Sequence, residues 1–465
     1  MNNKLEQFKK DVKNKKVAVM GIGISNIPLI KYLVSFGVDI TAFDKSSEEK
    51  LADAFTQLEG LPVKYSIGSD YLSKLNGFDL IFRTPGMRPD LPELVQAVNN
   101  GAELTSEMEV FLKLCPAQVF AVTGSDGKTT TTTLIYKILS EEGYNCWLGG
   151  NIGIPLLSKI DEVAETDKVV LELSSFQLMT IRDCPSVAVV TNLSPNHLDV
   201  HKSLQEYIDA KKNIFIYQKE NEKLVLNYDN EITKSFNYEA RGEHVYFSRL
   251  SNLEEGVVYQ DGMIMVKKGN KSTVIVEGDK IKIPGVHNIE NYMAATAATI
   301  DYVKPETIAK IATTFNGVEH RIELVRELNG IKFYNSSIDS SPSRTIAALK
   351  TFKNKVILIA GGKDKGIPYD SIGEIIAEKV KCLLLIGATA SRIEEAYKNY
   401  LQQRDIDNEI EIIHCDSYEE VVKEAYGQAK SGDCIILSPA STSFDMFKNF
   451  EHRGNVFKEL VNKLK

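Results

Sequence analysis

The sequence predicts an α/β protein of three domains: a Rossmann-like N-terminal domain over residues 1–107, a central P-loop ATPase-like domain with an antiparallel edge over 108–317, and a C-terminal Rossmann-like domain over 318–465. Three observations carry that expectation. The chain has 465 residues, room for about three domains of ~150 residues each. Short apolar runs rich in Val, Ile and Leu alternate with helical stretches, the pattern of parallel sheets with right-handed crossovers. One such run, Val119-Phe120-Ala121-Val122, leads into Thr123-Gly124-Ser125-Asp126-Gly127-Lys128-Thr129-Thr130, a glycine turn that opens a helix.

The N-terminal domain begins with Val17-Ala18-Val19-Met20 as a strand, Gly21-Ile22-Gly23-Ile24-Ser25-Asn26 as a glycine turn, and a helix running to about Phe36. Asp39-Ile40-Thr41-Ala42-Phe43 is a second strand closed by Asp44, at the spacing where a dinucleotide fold places a ribose-binding acid. Asn26 stands where the third glycine of that fingerprint belongs, so a dinucleotide, a uridine nucleotide and a structural turn all remain open readings. Phe78 to Phe82 is a further strand. It ends in Arg83-Thr84-Pro85-Gly86, a loop at the carboxyl end of a strand, where open α/β sheets collect ligands. A helix from Ser106 to Leu114 carries the chain into the next domain.

In the central domain the loop from Gly124 to Thr130 builds an anion site. Unpaired N–H groups at the helix start point outward, Lys128 reaches terminal phosphates, and a hydroxyl of Thr129 or Thr130 holds Mg²⁺. Val122 replaces the first glycine of the longer phosphate-loop pattern, leaving a short G-x-x-G-K-T form. After Gly149-Gly150-Asn151-Ile152-Gly153, the strand Val169 to Leu173 places one carboxylate, Glu172, in an apolar run. A buried charge needs a partner, and the loop's Mg²⁺ is the sharper candidate beside an outward-facing position. Val187 to Asn192 then leads into Leu193-Ser194-Pro195-Asn196-His197-Leu198-Asp199-Val200-His201. The His pair lacks the Glu of the zincin pattern and a third ligand, so His197 reads as a Mg²⁺ ligand or substrate contact. Lys211 and Lys212, on a helix from Leu204 to Tyr217, read by spacing alone as solvated surface residues.

From Val245 to Pro284 short alternating runs, with a hairpin signal at Asp261-Gly262, predict the antiparallel edge. Asn288 and Asn291 lie three apart on the next helix, suited to bonding a base or a phosphate, or to capping the helix. Beyond His320-Arg321, strands at Ile331 to Tyr334, Val356 to Ile359, Leu383 to Ile386, Ile410 to Ile413 and Cys434 to Leu437 alternate with helices. The polar loops 361–365 and 438–443 sit at strand ends and look like ligand loops.

Composition narrows the function. A 43% hydrophobic and 25% charged chain is ordinary for a globular protein, and a net charge of −8 argues against a nucleic-acid or anionic-membrane partner. The six cysteines include no C-x-x-C pair and read as reduced core residues of a cytoplasmic enzyme. Neither a signal segment nor a membrane-spanning run is expected.

Taken in order, the G-x-G turn, T-P-G, T-G-S-D-G-K-T-T, G-G-N-I-G, L-E-L-S-S-F-Q-L, N-H-L-D, D-A-K, H-N, H-R, G-G-K-D-K and S-P-A-S-T-S-F-D-M-F-K-N-F-E-H-R-G resemble the Mur ligases, ATP-dependent amino-acid ligases of peptidoglycan synthesis. The strings S-S-F-Q-L and K-N-F-E-x-R-G favour the D-glutamate-adding member. The resemblance implies a monomeric enzyme whose small-molecule substrates are UDP-N-acetylmuramoyl-L-alanine and D-glutamate, with ATP and two Mg²⁺ ions. It implies that Ile24, Ser25, Asp44, Gly86 and Asn151 hold the uridine diphosphate substrate. Gly124 to Thr130, with Asn288, Asn291, His320 and Arg321, would contact ATP. Thr129 and Glu172 would bind one Mg²⁺, His197 and a carbamylated Lys211 the second; Lys128, Glu172, His197 and Lys211 form the catalytic set. Lys365, Ser443 and Phe450 match residues around D-glutamate. Where the family often shows N-D-S-K-A-T-N, this chain has Asn335-Ser336-Ser337-Ile338-Asp339-Ser340-Ser341, and those roles do not carry over. Rival readings are another Mur ligase or a folylpolyglutamate synthase, an NAD-dependent oxidoreductase using Gly21 to Asn26, and a non-catalytic nucleotide switch.

Overall fold

The computed structural model describes residues 3–23, 25–194, 200–283, 285–364, 366–406 and 410–465. Among them three sheets form. The first has five strands in the order Val63–Ile67, Asp39–Asp44, Lys16–Met20, Leu80–Phe82, Glu103–Thr105, all parallel. The strand order reverses beside Lys16–Met20, so the glycine turn after Met20 opens at a topological switch point.

The second sheet has nine strands. Gln118–Thr123 lies at its heart between Lys168–Glu172 and Val187–Val190, parallel to both. All four residues of Val187–Val190 are fully buried, as a parallel strand covered on both faces must be. The predicted antiparallel edge is present but begins later than Val245. Glu243–Ser248 and Gly256–Gln260 extend the sheet in parallel, and only the ladder through Met263–Lys268 and Lys271–Glu277 is antiparallel. The hairpin at Asp261-Gly262 stands, with both residues at positive φ as a tight reversal requires. The helix expected to reach Tyr217 ends at Lys212.

These two sheets belong to one compact unit, Met1–Ile281 with Val286–Thr313. The physical reason is a shared core: Val17 and Val19 of the first sheet and Ala121, Val169 and Leu171 of the second belong to one continuous apolar cluster. Each such valine or leucine taken fully out of water contributes about 1.5–3 kcal/mol, which favours keeping the two sheets together.

The second unit, Lys282–Gly285 with Thr314–Lys465, carries a six-stranded sheet. Its strands run parallel in the order Ile331–Asn335, Cys434–Leu437, Val356–Ala360, Val380–Ile386, Glu411–Cys415. The sheet expected to be wholly parallel gains an antiparallel edge strand, Glu323–Leu328, whose mixed polarity gave no period-two signal. No described helix is long and apolar enough to cross a membrane.

Candidate active site

The phosphate loop takes the shape its sequence requires. Gly124 and Gly127 have φ of +149° and +77°. A Cβ on Gly124 would lie 1.9 Å from the Thr191 hydroxyl, and one on Gly127 would lie 2.3 Å from Asn291 Oδ1. Both glycines are therefore compulsory for space as well as for conformation. The neighbouring strand end fastens the loop: Ser125 N–H donates to Asn192 O (2.8 Å), Asp126 N–H to Asn192 Oδ1 (3.0 Å), and the Thr191 hydroxyl to Asp126 O (2.6 Å). The helix Lys128–Glu142 starts there, so its free N–H groups and dipole face the loop. Lys128 Nζ donates to the carbonyls of Gly124 (3.0 Å) and Ser125 (2.9 Å), folded over the loop it would share with a phosphate. Thr129 is buried, while Thr130 is half-buried and Asp126 exposed.

Two charged side chains converge on this loop from inside the protein. Glu172 is 1% exposed and lies opposite Val122 in the strand register. Asn151 holds it twice, through the backbone (Asn151 N–H to Glu172 O, 2.8 Å) and through its amide on Oε1 (2.7 Å). Gly150 permits that approach, because a Cβ there would sit 2.2 Å from Glu172 O. Glu172 Oε2 is buried and accepts no hydrogen bond among the described residues. An orphaned carboxylate oxygen beside a phosphate loop fits a cation.

Lys211 corrects the surface reading. It is 2% exposed, and its Nζ donates to Thr123 Oγ1 (3.0 Å) and Gly124 O (2.9 Å), with the Tyr207 ring 5.0 Å away. Burial, reinforced by the positive charge of Lys128, pulls its pKa well below the ordinary lysine value, against the opposing pull of Glu172. The Tyr207 hydroxyl shares a 2.8 Å hydrogen bond with Ser125 Oγ, tying the Lys211 helix to the loop a second time.

At the end of the first sheet, Asp44 closes the glycine turn by accepting from Ile22 N–H (2.9 Å) and Ser46 N–H (2.8 Å). Asn26, the departure from the dinucleotide pattern, fills the third-glycine position with a brace: its amide donates to Met20 O (2.8 Å) and Gly21 O (3.0 Å). Ser25 is exposed, and Gly86 is exposed with open space around its Cα. Asn288 and Asn291 are buried and bonded to each other at 3.1 Å, and Asn291 also accepts from Thr131 Oγ1 at 3.3 Å, packing their helix on the phosphate-loop helix.

In the second unit His320 is 5% exposed and left-handed (φ +61°), with Nδ1 2.9 Å from the Asn335 amide and its ring edge-on to Phe450 at 5.9 Å. Burial, then the charge of Lys458, lowers its pKa. Arg321 is half-buried, and Ser443 is buried in the loop after Cys434–Leu437. In the segment where the family pattern breaks, Ser336 Oγ accepts from Ile322 N–H (3.1 Å) and Asp339 accepts from Ser438 Oγ (2.8 Å); burial raises the Asp339 pKa. Ile24, His197 and Lys365 lie outside the described residues.

Against known families, residues 15–106 match the model described as Mur ligase MurD-like, N-terminal domain; residues 122–299 match Mur ligase middle domain; and residues 320–441 match Mur ligase, glutamate ligase domain. The chain belongs to the Mur ligase family. It is accordingly an ATP-dependent ligase of peptidoglycan synthesis, of the MurD type. It is 87% identical to the UDP-N-acetylmuramoylalanine--D-glutamate ligase of Ruminiclostridium cellulolyticum over 465 residues, covering all of both chains. It is 63% identical to the protein of the same name from Acetivibrio thermocellus over 464 residues, again covering both. Among solved structures it resembles the UDP-N-acetylmuramate-alanine ligase MurC of Thermotoga maritima, with a TM-score of 0.57 at 19% identity, covering 97% of this chain and 100% of that one. MurF of Acinetobacter baumannii gives a TM-score of 0.57 at 15% identity, with 96% and 90% covered. These two likenesses concern the fold.

The motifs assigned no role to several buried or loop-fastening residues around the site. Thr191 and Asn192 hold the phosphate loop, yet they read as an ordinary strand end. His201 is buried, with Nε2 2.9 Å from Ser175 Oγ and its ring stacked on Phe176 at 5.3 Å. Arg83 is fully buried; the signal available was a charged residue directly following the apolar run Leu80 to Phe82.

Proposed function

We propose that this chain joins D-glutamate to UDP-N-acetylmuramoyl-L-alanine, converting ATP to ADP and phosphate. The observation that carries the reading is the convergence of a buried carboxylate, Glu172, and a buried amine, Lys211, on one phosphate loop. Full-length identity to ligases of that name supports the choice of substrates.

The substrate's alanyl carboxylate attacks the γ-phosphorus as the bond to ADP breaks, giving an acyl phosphate. The D-glutamate amine then attacks the acyl carbon, and the tetrahedral intermediate loses phosphate and a proton to leave the amide. Lys128 and the loop N–H groups stabilise charge on the transferring phosphoryl group. Thr129 and Glu172 would hold one Mg²⁺, His197 and Lys211 a second. When bound, the ions supply the positive charge that lets one anion approach another. For the second ion Lys211 must become an anion: its neutral amine adds to CO₂, forming a carbamate and releasing a proton. A buried amine with two fixed acceptors is suited to that change. Asp44, Ser25, Gly86, Ile24 and Asn151 are assigned to the UDP substrate, His320, Arg321, Asn288 and Asn291 to the nucleotide, and Lys365, Ser443 and Phe450 to D-glutamate. The chain works as a cytoplasmic monomer divided at 1–107, 108–317 and 318–465.

Phosphate release measured across pairs of acceptors and amino acids tests the substrates. Turnover is expected only with UDP-N-acetylmuramoyl-L-alanine and D-glutamate together; equal turnover with another pair, or without any, overturns the assignment.

A further inference from the structure

Two arginines flank the loop assigned to the UDP substrate, and both reach across to the ATP-binding sheet. Arg83, 1% exposed, divides its guanidinium between the two sides. Nη1 donates to Pro85 O (3.4 Å) and Met87 O (3.1 Å) of its own loop, while Nη2 donates to Phe176 O (2.9 Å) and Thr180 Oγ1 (2.9 Å). Phe176 belongs to the helix Ser175–Leu178, which Ser174 and Gln177 cap reciprocally and which begins three residues after Glu172. Arg88 does the same with a second element. One edge of its fork takes Asp90 (2.8 and 3.0 Å), and the other takes Glu206 (2.7 and 3.1 Å), with Val200 O at 2.8 Å. Glu206 lies in the first turn of Leu204–Lys212, the helix that presents Tyr207 to Ser125 and Lys211 to Gly124.

We infer that Arg83 and Arg88 are positioning residues that fix the acceptor loop relative to Glu172 and Lys211, and so set the approach of the acceptor carboxylate to the γ-phosphate. The inference rests on the ligase reading above. Each arginine grips the substrate loop with one part of its planar fork and a catalytic element with the other, a geometry a lysine cannot copy. The two grips act on different elements, one behind Glu172 and one ahead of Lys211. A misplacement of about 1 Å between reacting groups costs on the order of 100-fold in rate, so such braces act on turnover more than on nucleotide affinity.

The test uses the full chain with both substrates and ATP, and compares Arg88→Ala, Arg88→Lys, Glu206→Ala, the Arg88→Ala/Glu206→Ala double variant, and Arg83→Met. Expected are a fall in kcat of roughly tenfold or more for each single alanine variant, a KM for ATP within about twofold of the parent, and a double variant no worse than either single. Arg88→Lys is expected to stay impaired because it keeps the charge and loses the fork. Arg83→Met probes the buried grip; should it fail to fold, the more exposed Arg88–Glu206 pair still decides the matter. Melting temperatures separate the alternatives: a staple that only holds the domains together would lower melting while leaving kcat per folded molecule unchanged, and that result overturns the inference. So do multiplicative losses in the double variant. A parent chain that releases no phosphate with both substrates present overturns the ligase reading, and this inference with it.

Discussion

The phosphate loop of the first unit and the strand-end loops of the second are held in shape by opposite materials. Around the phosphate loop the converging groups are charges: Glu172 and Lys211 are buried at 1% and 2% exposed, and Lys128 lies over the loop. In the second unit the loops after Val356–Ala360 and Cys434–Leu437 are held by neutral hydroxyls. Ser441 Oγ bonds both Thr389 Oγ1 (2.7 Å) and Tyr369 OH (2.8 Å), and one buried cation, Arg453, ties Ser337 (2.8 and 2.9 Å) to Ser441 O (3.1 Å). Buried charges without full compensation are costly to hold and respond strongly to a bound ion. A satisfied hydroxyl network is rigid and responds little. On the proposed reading the first region would respond to a bound ion, while the second keeps its shape.

Breaking each region should therefore give different signatures. The largest effect is expected from Lys128→Ala, which removes the phosphate-facing charge: ligation should fall roughly 100- to 1000-fold with the melting temperature nearly unchanged. Lys211→Arg should follow at about 100-fold, without rescue by bicarbonate, because a guanidinium cannot form the carbamate; ¹³C-bicarbonate should label the parent chain with a carbamate resonance that the variant lacks. Full activity of Lys211→Arg would remove the carbamate from the mechanism.

Arg453→Met tests the second region, where the signature should be stability. Its guanidinium is 1% exposed and serves three acceptors, so its loss should cost about 2–4 kcal/mol by denaturant unfolding. Turnover of the folded fraction should change less than in either variant above. The smallest effect concerns the rim of the first region. The hydrogen bond from Arg88 holds Glu206 down from 4.5 to about 2. A depressed carboxyl stabilises the fold fully above its unfolded value of 4.5, and that contribution is lost as pH falls through about 2. Thermal melts of Glu206→Gln should accordingly lie below the parent near neutral pH and converge with it as pH falls through that window.

The same contrast explains what the sequence disclosed. The alternation of strands and helices foretold three mainly parallel sheets, and the motif from Gly124 to Thr130 foretold a glycine turn opening a helix, because glycine turns and helix starts are local. The burial of Glu172 was legible as an acid in an apolar strand. Lys211 was not: on its helix it has the spacing of a solvated lysine, and only the long-range packing of Leu204–Lys212 against Thr123 and Gly124 buries it. Arg83, Arg88 and Arg453 escaped for the same reason, since their partners lie 93, 118 and 116 residues away. The antiparallel edge was placed too early because local sequence does not show that Glu243–Ser248 pairs in parallel with both of its neighbours.

The Asn151 amide on Glu172 Oε1 has a further consequence, for ion choice. With Oε1 engaged by the Asn151 amide at 2.7 Å, Oε2 is the oxygen without a hydrogen-bond partner, and on the proposed reading it is the one Glu172 would offer first to a metal. Ca²⁺ favours six to eight oxygens and readily takes a carboxylate edge-on, whereas Mg²⁺ needs a compact octahedron of single oxygen donors. If Glu172 holds the ion as proposed, the turn from Gly149 to Gly153 would bias the site toward Mg²⁺. Asn151→Ala, by freeing the second oxygen, should narrow the preference for Mg²⁺ over Ca²⁺ in competition titrations.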